Sequence, residues 1–398
     1  MSQLAMHGGP PLRQKPFARW PQFDETELAA LNEVLQSGVW GGYHPKVAEF
    51  EQAFAHWHDA RFGVSAANGT VTLETALRAC GIGAGDEIIV PPFTFIATAT
   101  AVSLVGATPV FVDIDATTFN LDLNCARAAV TPRTRAIIPV HFAGHPLDMD
   151  ALMDFAAQHQ LIVIEDCAHA HGAAWRGRKV GSFGAFGSFS FQASKVLTAG
   201  EGGLLTTNDD GLAERARSII NQGRRTSGAW YEHFELGTNY RLTGWQAAIL
   251  QTQFARLPAQ LERRAANAAY LINELAQLDL LIPPAVDEAV TCHSWYLFIL
   301  RLNRERYPQL NKPSVVQALA AEGMPVNAGY PYPLYRNEVF ASVPHRVTPC
   351  PITEKICEEA FWISHEILLV EPEDVVDFVR AVAKVQENVD ALATKLVQ

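Results

Sequence analysis

Two features of this sequence are the most able to do chemistry: a lysine among small and polar residues, and a carboxylate that ends an apolar run. Lys195 lies within residues 187–203, which close in a glycine-rich turn, and the apolar residues 161–164 lead into Glu165 and Asp166. A lysine amine forms a Schiff base with a carbonyl, and a carboxylate keeps a pyridine nitrogen protonated so that the ring accepts electrons. This pattern favours pyridoxal 5′-phosphate (PLP) as the cofactor, with Lys195 and Asp166 as catalytic residues.

A phosphate-binding turn is predicted at Asn68-Gly69-Thr70, which lies between a predicted strand and a predicted helix. Backbone N–H groups and the dipole at a helix N-terminus favour a bound phosphate. Thr70 and Ser190, which stands five positions before Lys195, would each add a hydroxyl. The alternative is an ordinary N-cap in which Thr70 satisfies the helix itself.

Three further side chains are candidates for binding the cofactor or a substrate. Phe95 follows a predicted strand and can stack on a planar ring, with core packing as the alternative. His169 follows Asp166 by one helical turn and can reach the same ring, unless it is a structural histidine. Arg241 precedes the helix predicted at Thr243 and can bind a carboxylate in a bidentate fork, with a surface salt bridge as the alternative.

Composition excludes several classes of function. The 398 residues carry a formal net charge of −11 and no basic run, which argues against nucleic-acid binding. Six cysteines without a C-x-x-C pair indicate reduced thiols, and neither Cys350 with Cys357 nor His169 with His171 suggests a metal site. No signal peptide and no bilayer-length apolar stretch is evident, so we expect a cytoplasmic protein without membrane contact.

Strands and helices alternate through the first half of the chain. Strands are predicted at residues 62–66, 87–90, 109–112, 136–139 and 161–165, with helices between them. This alternation implies right-handed crossovers and a mainly parallel sheet. A long helix is predicted from residue 243 to about residue 278, and Pro258 should kink or divide it. A last amphipathic helix is predicted over residues 372–391.

Together these runs resemble the DegT/DnrJ/EryC1/StrS family of PLP-dependent sugar aminotransferases. The resemblance covers most of residues 15–390, and the matching segments, in family order, are residues 68–70, 91–98, 165–172, 187–203 and 237–246. It implies an α/β protein of fold-type I. We expect a large domain with a mainly parallel sheet flanked by helices at residues 1–255, N-terminal segment included, and a smaller C-terminal α+β domain at residues 256–398.

The resemblance also implies a role for each candidate residue. Lys195 matches the Schiff-base lysine, Asp166 the partner of the pyridine nitrogen and Phe95 the aromatic that stacks on the ring. Phosphate-binding positions are matched by Gly69, Thr70 and Ser190. Asn239 matches a residue that reaches the phosphate of the neighbouring subunit's cofactor, and Arg241 matches a position near that shared site. The resemblance therefore implies a homodimer with shared active sites.

The branch within the family is indicated by residues 20–22, 166–172 and 190–192, and His169 stands where family members often carry Gln. These runs look like the scyllo-inosose-type cyclitol aminotransferases and the 3-amino-5-hydroxybenzoate synthases. The predicted reaction moves an amino group from glutamate or glutamine to a keto-sugar or keto-cyclitol, through the Lys195 Schiff base and pyridoxamine phosphate. A PLP-dependent dehydratase or 3-amino-5-hydroxybenzoate-synthase-like enzyme and a non-catalytic regulatory protein remain as alternatives. Lys195 argues against the dehydratase, because the related dehydratases replace this lysine with histidine, and the intact Lys195–Asp166 pair argues against the regulatory protein.

Overall fold

A computed structural model describes residues 2–394 of the chain. Its strands are β1 Phe62–Ala66, β2 Glu87–Val90, β3 Thr108–Phe111, β4 Thr134–Ile137, β5 Ile162–Asp166, β6 Ala174–Trp175, β7 Arg178–Lys179, β8 Phe186–Ser190, β9 Gly203–Thr207, β10 Leu281–Ile282, β11 Val290–Cys292, β12 Leu297–Leu302, β13 Val326–Asn327, β14 Arg346–Val347 and β15 Ala360–Ser364. Its helices are α1 Glu25–Ser37, α2 Pro45–Trp57, α3 Gly69–Ala79, α4 Ala97–Leu104, α5 Leu123–Ala129, α6 Met149–His159, α7 Asp210–Ile220, α8 Gly244–Leu275, α9 Lys312–Ala321, α10 Pro351–Glu359, α11 Pro372–Glu387 and α12 Val389–Thr394. Among these helices none is both long and apolar enough to span a bilayer.

An eight-stranded sheet forms the centre of the larger part of the molecule, in the order β1-β9-β8-β5-β4-β2-β3-β14. From β8 to β14 all neighbouring strands pair in parallel, and β9 runs antiparallel to both β8 and β1. Helices α4, α5 and α6 connect the successive strands from β2 to β5, as the alternation of strands and helices predicted, whereas β5 and β8 are joined without a helix. The predicted α/β fold class is confirmed.

Helices cover both faces of this sheet, because its strands are apolar on both sides. On β2, Ile89 faces the core formed with α2, α5, α6 and α8, while Ile88 and Val90 face the core formed with α3, α4 and α7. On β5, Val163 faces the first of these cores and Ile164 faces the second. Burial on both faces is typical of parallel sheets and explains the continuous apolar runs in the sequence.

A second core lies around the antiparallel sheet β10-β12-β15-β13, as predicted for a smaller α+β part. Helices α9 and α11 and the end of α8 pack on this sheet. Two segments cross the predicted division at residue 255. Leu4 packs in this second core rather than with the large sheet, and β14 returns to the edge of the large sheet beside β3. The division at residue 255 stays a prediction.

Helix α8 is the main correction to the predicted elements. It runs without interruption for 32 residues, with Pro258 inside it, so the expected division is wrong. Leu257 and Leu261 pack in the first core, and Leu271 and Leu275 pack in the second. Packing on both sides of Pro258 outweighs the one backbone hydrogen bond that a proline removes.

Two other boundaries differ from the predicted ones. One of the helices expected between the strands, over residues 95–105, begins instead at Ala97, which leaves Phe95 in the segment that follows β2. The helix expected at residues 372–391 is divided into α11 and α12, because Asn388 leaves the helical conformation and its side chain donates to the Lys384 carbonyl. Short polar side chains compete for backbone groups in this way and favour helix ends.

Candidate active site

The carboxyl ends of the parallel strands bring the candidate residues to one edge of the sheet. Asp166 is the last residue of β5 and Ser190 is the last residue of β8. Asn68 follows β1, which runs in the same direction as β8, and Phe95 follows β2. Ligands of open α/β sheets bind at this edge, so the topology itself gathers residues that are up to about a hundred positions apart in the sequence.

Asp166 is buried and its carboxylate is held in place by two donors. The Thr98 hydroxyl donates to Oδ2 at 2.8 Å, and the Ala168 backbone N–H donates to Oδ1 at 3.2 Å. Burial raises the pKa of the Asp166 carboxyl, while these two bonds and the Lys195 charge act to lower the pKa. A carboxylate that is dry and fixed in this way is suited to pair with a positive group placed beside it.

Glu165 and Asp166 are adjacent in the sequence but point to different surroundings. The carboxylate of Glu165 accepts hydrogen bonds from the backbone N–H groups of Gly181, Phe183 and Gly184, at 2.7, 2.8 and 2.8 Å. His141 lies 3.2 Å from Glu165 through its Nε2. Because side chains alternate along a strand, Glu165 points to the loop before β8 and Asp166 points to the candidate site.

Lys195 lies in an irregular turn between β8 and β9 and is 9% exposed. Its backbone N–H donates to the Gln192 carbonyl at 2.8 Å. Its Nζ lies 4.4 Å from the centroid of the Tyr296 ring, a cation–π distance. The structure thus brings Lys195 close enough to Asp166 for the lysine charge to act on the pKa of that carboxyl.

The predicted phosphate turn forms the N-terminus of α3, packed directly against β8. Asn68, not Thr70, is the N-cap, because its Oδ1 accepts from the N–H groups of Thr70 and Val71 at 3.1 and 3.0 Å. A Cβ on Gly69 would lie only 2.7 Å from the Ser190 Cβ, so a side chain at this position would fill the turn. Gly69, Thr70 and Ser190 therefore form one small concave surface at a helix N-terminus, which fits a phosphate.

His169 and Phe95 have opposite environments. The His169 ring is buried, lies 4.3 Å from the Tyr296 ring between centroids, and accepts at Nδ1 from the Ala143 N–H at 3.4 Å. Burial holds the pKa of His169 well below its usual value, so the ring is neutral with its proton on Nε2. Phe95 is 59% exposed, which rules out the core-packing alternative.

Asn239 and Arg241 lie outside the surroundings of Lys195. Asn239 is exposed and pairs with Asn221 through an isolated β-bridge. Arg241 donates to the Asn221 Oδ1 at 2.8 Å, so it forms no salt bridge there. Its guanidinium lines a cavity of about 570 Å³, together with Tyr43, Arg217, Arg224 and Arg225. Four arginines and one acidic residue, Glu51, line this cavity on a chain whose net charge is −11.

Three residues of the site were missed in the sequence. Thr98 donates to Asp166, Tyr296 lies beneath the Lys195 amine, and His365 bonds to the Ser194 carbonyl at 3.0 Å. Thr94 and Thr98 follow β2 four positions apart, a spacing that places two side chains on the same side of a helical segment. Their hydroxyls lie 3.2 Å apart. Tyr296 directly precedes β12 and His365 directly follows β15, two strands of the smaller sheet, and nothing local in the sequence connects them with Lys195.

The family can now be assigned. The model of the DegT/DnrJ/EryC1/StrS aminotransferase family matches residues 21–383. The chain belongs to this family. It is a PLP-dependent aminotransferase, as the resemblance implied, and its buried carboxylate, its lysine and the concave turn at Gly69 fit that cofactor.

Relatives of this aminotransferase cover nearly its full length. A Streptoalloteichus tenebrarius protein provisionally named L-glutamine:3-amino-2,3-dideoxy-scyllo-inosose aminotransferase is 40% identical over 417 aligned residues, which cover 98% of this chain and 99% of the relative. L-glutamine:2-deoxy-scyllo-inosose aminotransferase from Streptomyces fradiae is 39% identical over 425 aligned residues, covering 99% and 100%. The crystal structure of 3-amino-5-hydroxybenzoic acid synthase has a TM-score of 0.88 at 35% identity, covering 94% and 99%. The predicted cyclitol branch is confirmed.

Proposed function

We propose that this aminotransferase moves an amino group from L-glutamine, or from glutamate, to a keto-cyclitol of the scyllo-inosose type. The observation that carries the proposal is the likeness, over almost the whole chain, to two relatives whose names give L-glutamine as the donor and a scyllo-inosose derivative as the acceptor. The buried Lys195 and Asp166 beside each other support the same reaction class.

The two catalytic residues divide the proton chemistry between them. When bound, PLP supplies an electron sink and an aldehyde that joins to amines. Lys195 Nζ would hold the cofactor between turnovers and would act as the general base and acid that removes the donor's Cα proton and returns it. Asp166, fixed by Thr98 and Ala168, holds a proton on the pyridine nitrogen. Both roles require a dry pocket, which the burial of both side chains provides.

The remaining candidate residues bind rather than react. Gly69, Thr70 and Ser190 anchor the phosphate at the N-terminus of α3. Phe95 is exposed after β2 and covers one face of the cofactor ring. His169, neutral and protonated on Nε2, offers one hydrogen-bond donor beside Lys195.

A second candidate is an activity like that of 3-amino-5-hydroxybenzoic acid synthase. It is favoured by the TM-score of 0.88 to that enzyme's structure. The two candidates differ in outcome, because amino transfer leaves a new amine on the acceptor while the synthase forms an aromatic product. A panel of keto-cyclitols, keto-sugars and cyclohexanone acids, incubated with L-glutamine and followed by mass spectrometry and ultraviolet absorbance, separates them. A panel in which only keto-acids are aminated would contradict the cyclitol proposal.

Borohydride reduction of the cofactor-loaded protein is expected to label Lys195. Reduction makes the link between PLP and an amine permanent, so peptide mass spectrometry locates it. Lys179 is the matched control, because its Nζ also lies over an aromatic ring, 4.2 Å from that of Trp57, yet outside the candidate site. An adduct on Lys179 or on another lysine, with Lys195 unmodified, would exclude the assigned role.

The exposed aromatic residues and the basic cavity support a homodimer that shares its sites. Trp230 and Tyr231 are 76% and 78% exposed in the segment that leads to Asn239. Exposed apolar side chains grouped in this way are typical of protein interfaces. We propose that a second copy of the chain covers them, and that Asn239 and the basic cavity around Arg241 then face the phosphate of the neighbouring cofactor.

Mixing of two inactive variants tests the shared site. In a mixed dimer of Lys195→Ala and Asn239→Ala chains, one site carries both changes and the other carries neither. Activity is therefore expected to return to one of the two sites of each mixed dimer. The control is a mixture of Lys195→Ala with Asp166→Asn, which places one lesion in each site and should restore nothing. If Asn239→Ala alone is impaired, mixed dimers form and no activity returns, the sites are not shared.

A further inference from the structure

The turn that carries Lys195 is held by side chains from both ends of the sequence. Residues 192–196 lie in no helix or strand, so their carbonyls need partners other than a sheet or helix ladder. The Trp20 Nε1 donates to the Ala193 carbonyl at 3.1 Å. The His365 Nε2 lies 3.0 Å from the Ser194 carbonyl. The two peptide carbonyls that precede Lys195 are therefore each bound by an aromatic ring N–H.

Arg264 decides which nitrogen of His365 carries the proton. Its Nη2 lies 3.0 Å from the His365 Nδ1, and a guanidinium has only donors. Nδ1 is therefore the acceptor, and Nε2 carries the hydrogen that it donates to Ser194. The Glu366 Oε2 lies 3.8 Å from the same Nε2, farther than the Ser194 carbonyl and compatible with a proton there.

Both members of this pair are fully buried. Burial lowers the pKa of His365 well below its usual value, and the neighbouring Arg264 charge acts in the same direction, so the ring stays neutral. The Trp20 ring packs edge-on against His365 at 4.6 Å between centroids. A proton on Nδ1 instead of Nε2 would cost His365 its hydrogen bond from Arg264, so the ring keeps the Nε2–H tautomer.

The same turn is joined to the lysine through Tyr296. The Ser194 Oγ and the Tyr296 Oη are 2.9 Å apart, and the Tyr296 ring lies beneath the Lys195 Nζ. The Tyr296 and His365 rings lie stacked, 5.9 Å apart between centroids. Ser194 is thus bound at its carbonyl by His365 and at its hydroxyl by Tyr296, one residue before the lysine.

We propose that His365, fixed as the Nε2–H tautomer by Arg264, is a positioning residue that sets where the Lys195 amine lies. The inference rests on the proposed role of Lys195. His365 touches neither the lysine amine nor Asp166, and it acts through the Ser194 carbonyl. A reacting amine displaced by about 1 Å can lose roughly a hundredfold in rate, so control of this turn bears directly on turnover.

The test compares His365→Phe with His365→Gln in the cofactor-loaded protein. Phe keeps a ring but removes both bonds, whereas Gln keeps an N–H that reaches the Ser194 carbonyl. His365→Phe is expected to lower kcat about tenfold or more while KM for donor and acceptor changes little. It should also change the visible circular dichroism of the cofactor bound at Lys195, which reports how the ring is held. His365→Gln should restore most of both signals.

His293→Phe is the matched control. His293 is also buried, its ring stacks on Trp295 at 3.8 Å and its Nδ1 accepts from the Trp295 backbone N–H, but it lies away from the lysine turn. It is expected to lower the melting temperature without changing the circular dichroism or kcat. The positioning role is overturned if His365→Phe behaves in the same way, or if His365→Gln is as impaired as His365→Phe.

Borohydride labelling of the wild type separates this inference from the proposed function. Without an adduct on Lys195, the proposed function fails and the positioning role fails with it. With an adduct on Lys195 and an unchanged kcat in His365→Phe, only the positioning role fails. Arg264→Met is a second, independent test. It removes the donor to Nδ1 of His365, so the proton is no longer confined to Nε2, and kcat should fall as it does in His365→Phe.

Discussion

Replacement of Lys195 by Ala is expected to abolish amino transfer while the protein still binds PLP. The amine both holds the cofactor and moves the proton, and general acid–base groups alone supply about 10²-fold to 10⁴-fold in rate. Turnover should therefore fall by at least about 10³-fold. The turn at Gly69, the exposed Phe95 and Asp166, which we propose bind the cofactor, are unchanged, so equilibrium dialysis should still detect bound cofactor.

Lys179→Ala is the control for this experiment. Lys179 also lies over an aromatic ring, and its Nζ donates to the Gly172 carbonyl at 3.3 Å, but it faces away from the candidate site. It should retain turnover close to that of the wild type. A Lys195→Ala protein that turns over at the wild-type rate would show that another group moves the proton.

Asp166→Asn is expected to lower turnover by about 10²-fold to 10³-fold, the range seen when one fixed electrostatic group is removed from an active site. The substitution keeps the shape of the side chain. The Ala168 N–H can still donate to Oδ1, and the Thr98 hydroxyl can reverse to accept from the new amide while it donates to Thr94. What is lost is the charge that holds the proton on the pyridine nitrogen.

The stability of the cofactor-free variant shows whether the fold survives. Burial raises the pKa of Asp166, so this group contributes stability at low pH that is lost as the pH rises through its folded-state pKa. Asn carries no such charge, and the melting temperature of Asp166→Asn at neutral pH should equal or exceed that of the wild type.

Asp113→Asn is the control for turnover. Asp113 is buried and accepts from the Thr353 hydroxyl at 2.6 Å, outside the site, and its variant should stay active per folded molecule. Wild-type turnover in Asp166→Asn would remove Asp166 from the mechanism.

Much of the fold followed from the sequence because its signals are local. Apolar runs such as residues 161–164 mark strands buried on both faces, and the helices between them force parallel pairing. The carboxyl ends of those strands then meet at one edge, so the sequence could predict that Asp166 and the residues that follow β8 lie there. Asn68 caps the helix of the predicted turn, whereas the alternative interpretation of that turn gave the cap to Thr70.

The rest depends on contacts between segments that are far apart in the chain. Tyr296 and His365 reach the lysine turn from the ends of β12 and β15 in the smaller sheet, and their types carry no signal of that destination. Pro258 was expected to kink or divide a helix, because the rule for proline is local, whereas the packing along the continuous helix α8 comes from two cores. Carboxylate binding by Arg241 stays a prediction, and its contact with Asn221, twenty positions away in the chain, has no local signal in the sequence.

Helix α8 is continuous and contributes side chains to both cores. Its 32 residues extend about 48 Å at 1.5 Å per residue, with leucines of one core along its first half and leucines of the other along its second. A chain ended at residue 255 would lose Leu257 and Leu261 from the sheet it is meant to contain. A chain begun at residue 256 would expose them and lose Leu4. The predicted division at residue 255 therefore crosses contacts of both cores.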